Sequence, residues 1–286
     1  MPEAGLPVNV ILVVLAAALL HAGWNALIRG AGDKGLYTLL LHACSGTLGG
    51  IGLIFLGLPD AASWPYILTS ALLHTVYIAW LMRAYDGGQL AVSYTLMRGL
   101  PPLLVALLSA PLLDEPLGLG DWLGIAAICA GVLGIGLAGG LTPGRIIAHP
   151  ASRAAMLNAL IIAAYTLVDG MGARAAGNAL AYACCLYLCE PLLILAWQYR
   201  RRGRPMLEHF RTHWRLGLAG ALCSTTAYAA VLWAMTQAPV AMIAAMRESS
   251  VVFAVLIGSL WFKEGRLRQG LLAGSAVVLG IVLLRL

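Results

Sequence analysis

Two arginines, Arg98 and Arg247, stand inside runs of residues apolar enough to lie in lipid. A guanidinium is a planar fork of donors that matches a carboxylate or a phosphate group bidentately, so two of them at depth are suited to holding an anionic or zwitterionic solute. Their placement is patterned. Ala91-Val92-Ser93-Tyr94-Thr95-Leu96-Met97-Arg98 leads into an apolar run that ends Leu113-Asp114-Glu115. Val240-Ala241-Met242-Ile243-Ala244-Ala245-Met246-Arg247 leads into one that ends Phe262-Lys263-Glu264. Arg98 to Arg247 is 149 positions, as are Glu115 to Glu264 and Gly131 to Gly280.

Other groups could serve the same chemistry. His21 and Asn25 lie one helical turn apart and share a face, with Trp24 beside them. They are candidate substrate contacts together with Tyr94 and Tyr165. Glu248, Glu190 and Asp169 also fall within apolar runs, and burial disfavours the ionised form of a carboxylate, so these three are the candidate proton carriers. His42 and His74 read more readily as packing. Each charge at a bilayer centre costs roughly 2.5–3.5 kcal/mol on an insertion scale, so all five must pair, titrate or face water. The plain structural alternative is a set of internal ion pairs such as Arg98–Asp169 or Arg247–Glu190. Pro101-Pro102 follow Arg98 within a turn. Because proline has no N–H, they leave the Met97 and Arg98 carbonyls without helical donors and predict a kink beside the arginine.

Cys184, Cys185 and Cys189 followed by Glu190 have no second cluster to complete a four-ligand set, so no metal is expected. All six cysteines lie in apolar spans, and no disulfide is expected. There is no Walker motif, no Ser-His-Asp pattern and no HExxH, so neither a cofactor nor an enzymatic activity is expected.

Placing these residues requires membrane spans. Of the 286 residues 61% are hydrophobic and only 10% charged, and the mean hydropathy is +0.87. Soluble domains carry about a quarter charged residues. Ten spans of about 20 residues are expected at 8–28, 36–58, 65–85, 90–113, 121–140, 152–173, 179–199, 214–236, 239–262 and 267–285. The fold class is therefore an all-α polytopic membrane protein of ten transmembrane helices in two five-helix repeats, 1–140 and 152–286, joined by a connecting loop, 141–151. An odd number of spans per half inverts one half relative to the other, and such repeats place substrate near the midplane between them. The pairs Gly46/Gly50, Gly120/Gly124, Gly136/Gly140 and Gly270/Gly274 have GxxxG spacing and read as close helix packing. The first span lacks a basic leader and is expected to be retained.

The isoelectric point near 9.1 reflects topology and implies no nucleic-acid partner. Fourteen of the 18 Lys and Arg residues fall on one side of the ten spans. Arg174 and Arg285 fall on the other, and Arg98 and Arg247 lie within the membrane. The positive-inside rule then predicts that both termini face away from the cytoplasm, with the chain in the cell (inner) membrane.

Ten spans in two inverted fives, each half closing with an apolar run, a glutamate and a glycine-rich last span, resemble the EamA-like branch of the drug/metabolite transporter superfamily. Leu20-His21-Ala22-Gly23-Trp24-Asn25-Ala26-Leu27, Arg98-Gly99-Leu100-Pro101 and Arg247-Glu248-Ser249-Ser250 carry the likeness to one subgroup. The resemblance covers essentially the whole chain. It implies ATP-independent transport of small metabolites, often export of amino acids or related compounds, through a central cavity lined by spans 1, 3, 4, 6, 8 and 9. Many members keep both termini cytoplasmic, against the charge count here.

The expected function is secondary transport, in the export direction, of a small anionic or zwitterionic metabolite such as an amino acid, by alternating access. The partners are that solute and the lipid bilayer, with proton coupling through a carboxylate. An uncoupled facilitator, a membrane-embedded enzyme and a non-transporting partner subunit are the rival readings.

Overall fold

The computed structural model describes residues 6–85, 90–138, 144, 149–261 and 267–285. Among the described residues the chain is entirely helical, apart from short turns. The elements are α1 (Val8–Gly30), α2 (Lys34–Leu56), a single 3-10 turn (Ala61–Ser63), α3 (Trp64–Tyr85), α4 (Leu90–Gly99), α5 (Pro101–Leu113), α6 (Leu119–Ala138), α7 (Pro150–Ala175), α8 (Ala179–Arg202), α9 (Arg204–Met235), α10 (Val240–Arg247), α11 (Ser250–Trp261) and α12 (Leu267–Leu283). Seven segments, taking α4–α5 from Thr95 and α10–α11 to Leu260 each as one, are long and apolar enough to cross a membrane. The chain is a multi-pass membrane protein.

Local signals set several boundaries. The Asp33 carboxylate accepts from the Leu36 N–H at 2.9 Å and caps α2, and the Asn178 side chain accepts from Leu180 and Ala181 to cap α8. Gly203, at φ +61, ends α8 and allows α9 to start at the next residue. α9 begins ten residues before the expected 214, because Arg204-Pro205 opens a helix in what reads as a loop.

Two expected spans are broken. The first parts at Leu100, as the two prolines predict. The second parts at Glu248-Ser249, where no proline stands. There the backbone tightens into three-residue bonds, Glu248 N–H to Ala245 O at 2.9 Å and Ser249 N–H to Met246 O at 3.0 Å.

Helices pack through glycine. α2 crosses α8 where a Cβ on Gly49 would lie 2.5 Å from the Cys184 carbonyl oxygen and one on Gly46 3.1 Å from Pro191. α6 crosses α12 where Gly124 and Gly280 each face the other's carbonyl oxygen, with virtual Cβ distances of 2.9 and 2.6 Å. Lipid gives no hydrophobic drive between helices, so close backbone approach supplies the contact energy instead. The expected Gly46/Gly50 pair is in fact Gly46/Gly49, and Gly120 is more loosely placed. The pairings also recur under exchange of the halves: α3 packs on α7 as α1 packs on α9, and α3 on α8 as α2 on α9. α2–α8 and α6–α12 map onto themselves.

Gly280→Leu is expected to lower stability by about 1–3 kcal/mol through overpacking, seen as a fall in melting temperature in detergent. Gly134→Ala, whose Cβ meets nothing within 4 Å, should leave it unchanged.

Candidate functional site

The two breaks lie against each other and carry the deepest charges. Arg98 is the penultimate residue of α4, and Arg247 is the last of α10. Each guanidinium thus starts from a helix C-terminus, where the peptide dipoles favour positive charge. Glu248 follows α10 and immediately precedes α11, near an N-terminus that favours negative charge. Glu248 Oε2 lies 3.0 Å from Arg98 Nε, and its Oε1 lies 3.7 Å from Arg247 Nε. Arg98 also donates to Ser250 Oγ at 2.6 Å. All three charged groups are buried, with 8%, 4% and 1% exposure for Arg98, Arg247 and Glu248. Two guanidiniums share one carboxylate.

This corrects the expected pairs: neither Arg98–Asp169 nor Arg247–Glu190 forms. Glu248, one residue from Arg247 and across the break from Arg98, takes both arginines. Arg247 Nε, although 3.7 Å from the carboxylate, makes no aligned hydrogen bond among the described residues. His21 lies within electrostatic reach of both arginines. Its ring meets Trp24 edge-on at 5.0 Å. The Asn25 amide turns back onto its own helix and donates to the His21 carbonyl at 2.7 Å, so that one donor is committed to the backbone. The Tyr94 side chain lies outside the described residues.

Asp169 occupies a separate polar centre on α7. It accepts hydrogen bonds from Tyr182 of α8, at 2.7 Å, and from Tyr228 of α9. A Cβ on Gly172 would sit 2.4 Å from the Tyr182 ring, so the glycine makes room for that phenol. Ser70 and His74 of α3 face the same carboxylate. His74 Nδ1 lies 2.9 Å from the Ser70 carbonyl oxygen and 3.1 Å from its hydroxyl. A nitrogen bound to a carbonyl must carry the hydrogen, so it cannot act as base toward that serine. This Ser-His-Asp grouping is invisible in the sequence. Tyr165 stacks on His74 at 4.2 Å and lies within electrostatic reach of Asp169, Glu248 and both arginines, between the two centres. Glu190 pairs instead with His42, at 3.4 Å.

A further ion pair closes the bundle at the end opposite the α8–α9 junction. Asp114, at φ +54, ends α5 in the left-handed region, and Glu115 follows it. Glu115 Oε2 accepts from the Val240 N–H at 2.9 Å and caps α10, while Oε1 pairs with Arg174 of α7. Arg174 also donates to Met235 O at 2.9 Å and Ala238 O at 3.1 Å. Open cavities of about 500 and 580 Å³ flank Arg174. Neither is lined by Arg98, Arg247 or Asp169. The six cysteines are free thiols, and no cluster of three metal-binding side chains occurs among the described residues.

Ser250, Tyr182 and Arg174 were not legible as site residues. Only the recurrence of Glu115 at position 264 hinted that this end mattered.

Glu248→Gln removes the carboxylate that two buried guanidiniums share and is expected to destabilise the protein by about 3–5 kcal/mol. Adding Arg247→Ala should recover part of that loss. Thermal unfolding of the two variants in detergent checks both.

The fold recurs among solved structures. One described only as the crystal structure of a protein superposes with a TM-score of 0.76 at 19% identity, over 96% of each chain. No curated protein matches the sequence. Residues 151–286, the second half of the chain, match the EamA-like transporter family.

Proposed function

We propose that the chain is a secondary transporter, working as an exporter by alternating access, for a small anionic or zwitterionic metabolite such as an amino acid. The observation that carries this reading is the Arg98–Glu248–Arg247 cluster, two buried guanidiniums on one carboxylate. Two guanidiniums buried at the breaks of two spans are costly unless they have a use, and an anionic group from the solute would give them one. The N-termini of α5 and α11 open at the same place and favour negative charge.

Ten spans in two inverted fives, 1–140 and 152–286, are supported by helix pairings that recur when the halves are exchanged. Alternating access between such halves needs ends that close in turn. Glu115 and Arg174 are suited to closing one, since they tie α5, α7 and the start of α10 together. The excess of Arg and Lys at the other end supports an inner-membrane orientation with both termini outside. His21 and Tyr165 are placed to add contacts to the solute, with Trp24, Asn25 and Tyr94 as further candidates. Asp169 and Glu190, each grouped with a histidine, are better proton carriers than Glu248, which the arginines occupy.

Flux of amino acids and organic acids in proteoliposomes tests the reading. Each of Arg98→Ala and Arg247→Ala should reduce transport by about tenfold to a hundredfold, the worth of a charge-assisted hydrogen bond. A double variant that transports normally overturns the assignment. Flux indifferent to a pH gradient favours the uncoupled facilitator.

A further inference from the structure

We propose that the corner formed by the ends of α3 and α8 and the first turns of α9 is a binding surface for anionic phospholipid headgroups. The inference rests on the chain spanning a membrane and is independent of what it transports.

Residues 197–216 read Trp-Gln-Tyr-Arg-Arg-Arg-Gly-Arg-Pro-Met-Leu-Glu-His-Phe-Arg-Thr-His-Trp-Arg-Leu, with six arginines, no lysine and one acid. Arg204, Arg211 and Arg215 fall at i, i+7 and i+11 and form one stripe along α9. Met206, Phe210 and Gly217 fall on the opposite stripe. There Met206 is buried in a cluster with Leu39, Ile78 and Ile194, and a Cβ on Gly217 would lie 2.3 Å from Leu40. The inner stripe docks this end of α9 onto α2, α3 and α8, so the arginine stripe faces outward as part of a fixed wall.

Arg200, Arg201, Arg204, Arg211 and Arg215 are all exposed. Only Arg202 is drawn away, to Asp33 at 3.6 Å and Gln198 at 3.3 Å. Large apolar side chains are exposed among them: Trp197, Tyr199, Leu207, Trp214 and Leu216. A partner in water would pair the charges and leave those side chains wet. The boundary of an anionic bilayer satisfies both at once, because it offers phosphates beside buried acyl chains.

Three guanidiniums lie over indole faces: Arg83 on Trp80 at 4.8 Å, Arg201 on Trp197 at 4.7 Å and Arg215 on Trp214 at 5.5 Å. The pairs come from α3, α8 and α9, which meet at this corner. Tryptophan settles at headgroup level. A guanidinium placed over it is held at that level, where its donors can reach phosphate oxygens. A topology signal alone needs only positive charge, and lysine away from any ring would serve it.

The full-length protein in neutral detergent provides the test. Phosphatidylglycerol, but not phosphatidylcholine, should raise its melting temperature by several degrees at low salt. Arg201→Gln, Arg211→Gln and Arg215→Gln combined should cut that rise to less than half without changing the melting temperature in detergent alone. An equal rise with phosphatidylcholine or with inorganic phosphate, or a full rise in the triple variant, overturns the proposal. Should the triple variant fail to fold, native mass spectrometry of the wild type decides. Preferential retention of anionic lipid supports the surface, and equal retention of zwitterionic lipid overturns it.

Discussion

A cation in the middle of a membrane span is best held where a helix ends, because the terminal carbonyls favour it. Both central arginines meet that condition. Arg98 and Arg247 close short helices whose terminal carbonyls favour a cation, and Glu248 lies between them just ahead of the next helix. The backbone breaks and the buried charges are therefore one feature. Without the breaks the guanidiniums would lie along regular helix in lipid. Without the charges the loosened backbone would have no polar partner, a state hydrocarbon does not tolerate.

The rest of the bundle holds these breaks together. Glycine-mediated crossings of α2 with α8 and of α6 with α12 bring backbones close enough to substitute contact for the missing hydrophobic drive. Glu115 links the end of the first broken span to the start of the second, by capping α10 and holding Arg174. Asp169, with its two phenols, forms a second polar centre. Tyr165 lies between that centre and the arginines, so the two polar centres are adjacent but separate.

Much of this was readable in the residues, and what was not has physical reasons. The Pro101-Pro102 break follows from a missing N–H and was visible. The break at Glu248-Ser249 has no such marker, since no proline or glycine stands there and its three-residue bonds show only in the fold. Five intramembrane charges announced themselves by composition, but partner choice is a matter of geometry. Glu248 beside Arg247 in the sequence looked like a neighbour, and only the fold sets it across from Arg98. Tyr182 and Ser70 were invisible because tyrosine and serine are ordinary in apolar helices, and only Gly172 and the packing of α3 on α7 bring them to Asp169. The first turns of α9 read as a loop because their apolar residues recur on only one narrow stripe among arginines.

The central claim is that the two buried arginines at the helix breaks, which share the Glu248 carboxylate, serve an anionic group of the solute. The direct measurement is calorimetric titration of the detergent-solubilised protein with carboxylates, phosphates, zwitterions and simple amines, repeated on Arg247→Ala. The account predicts that a carboxylate or phosphate compound binds the wild type and that Arg247→Ala loses it, while amines bind neither. Binding by amines alone, or anion binding that survives Arg247→Ala undiminished, would contradict it and leave the arginines as counter-ions to Glu248.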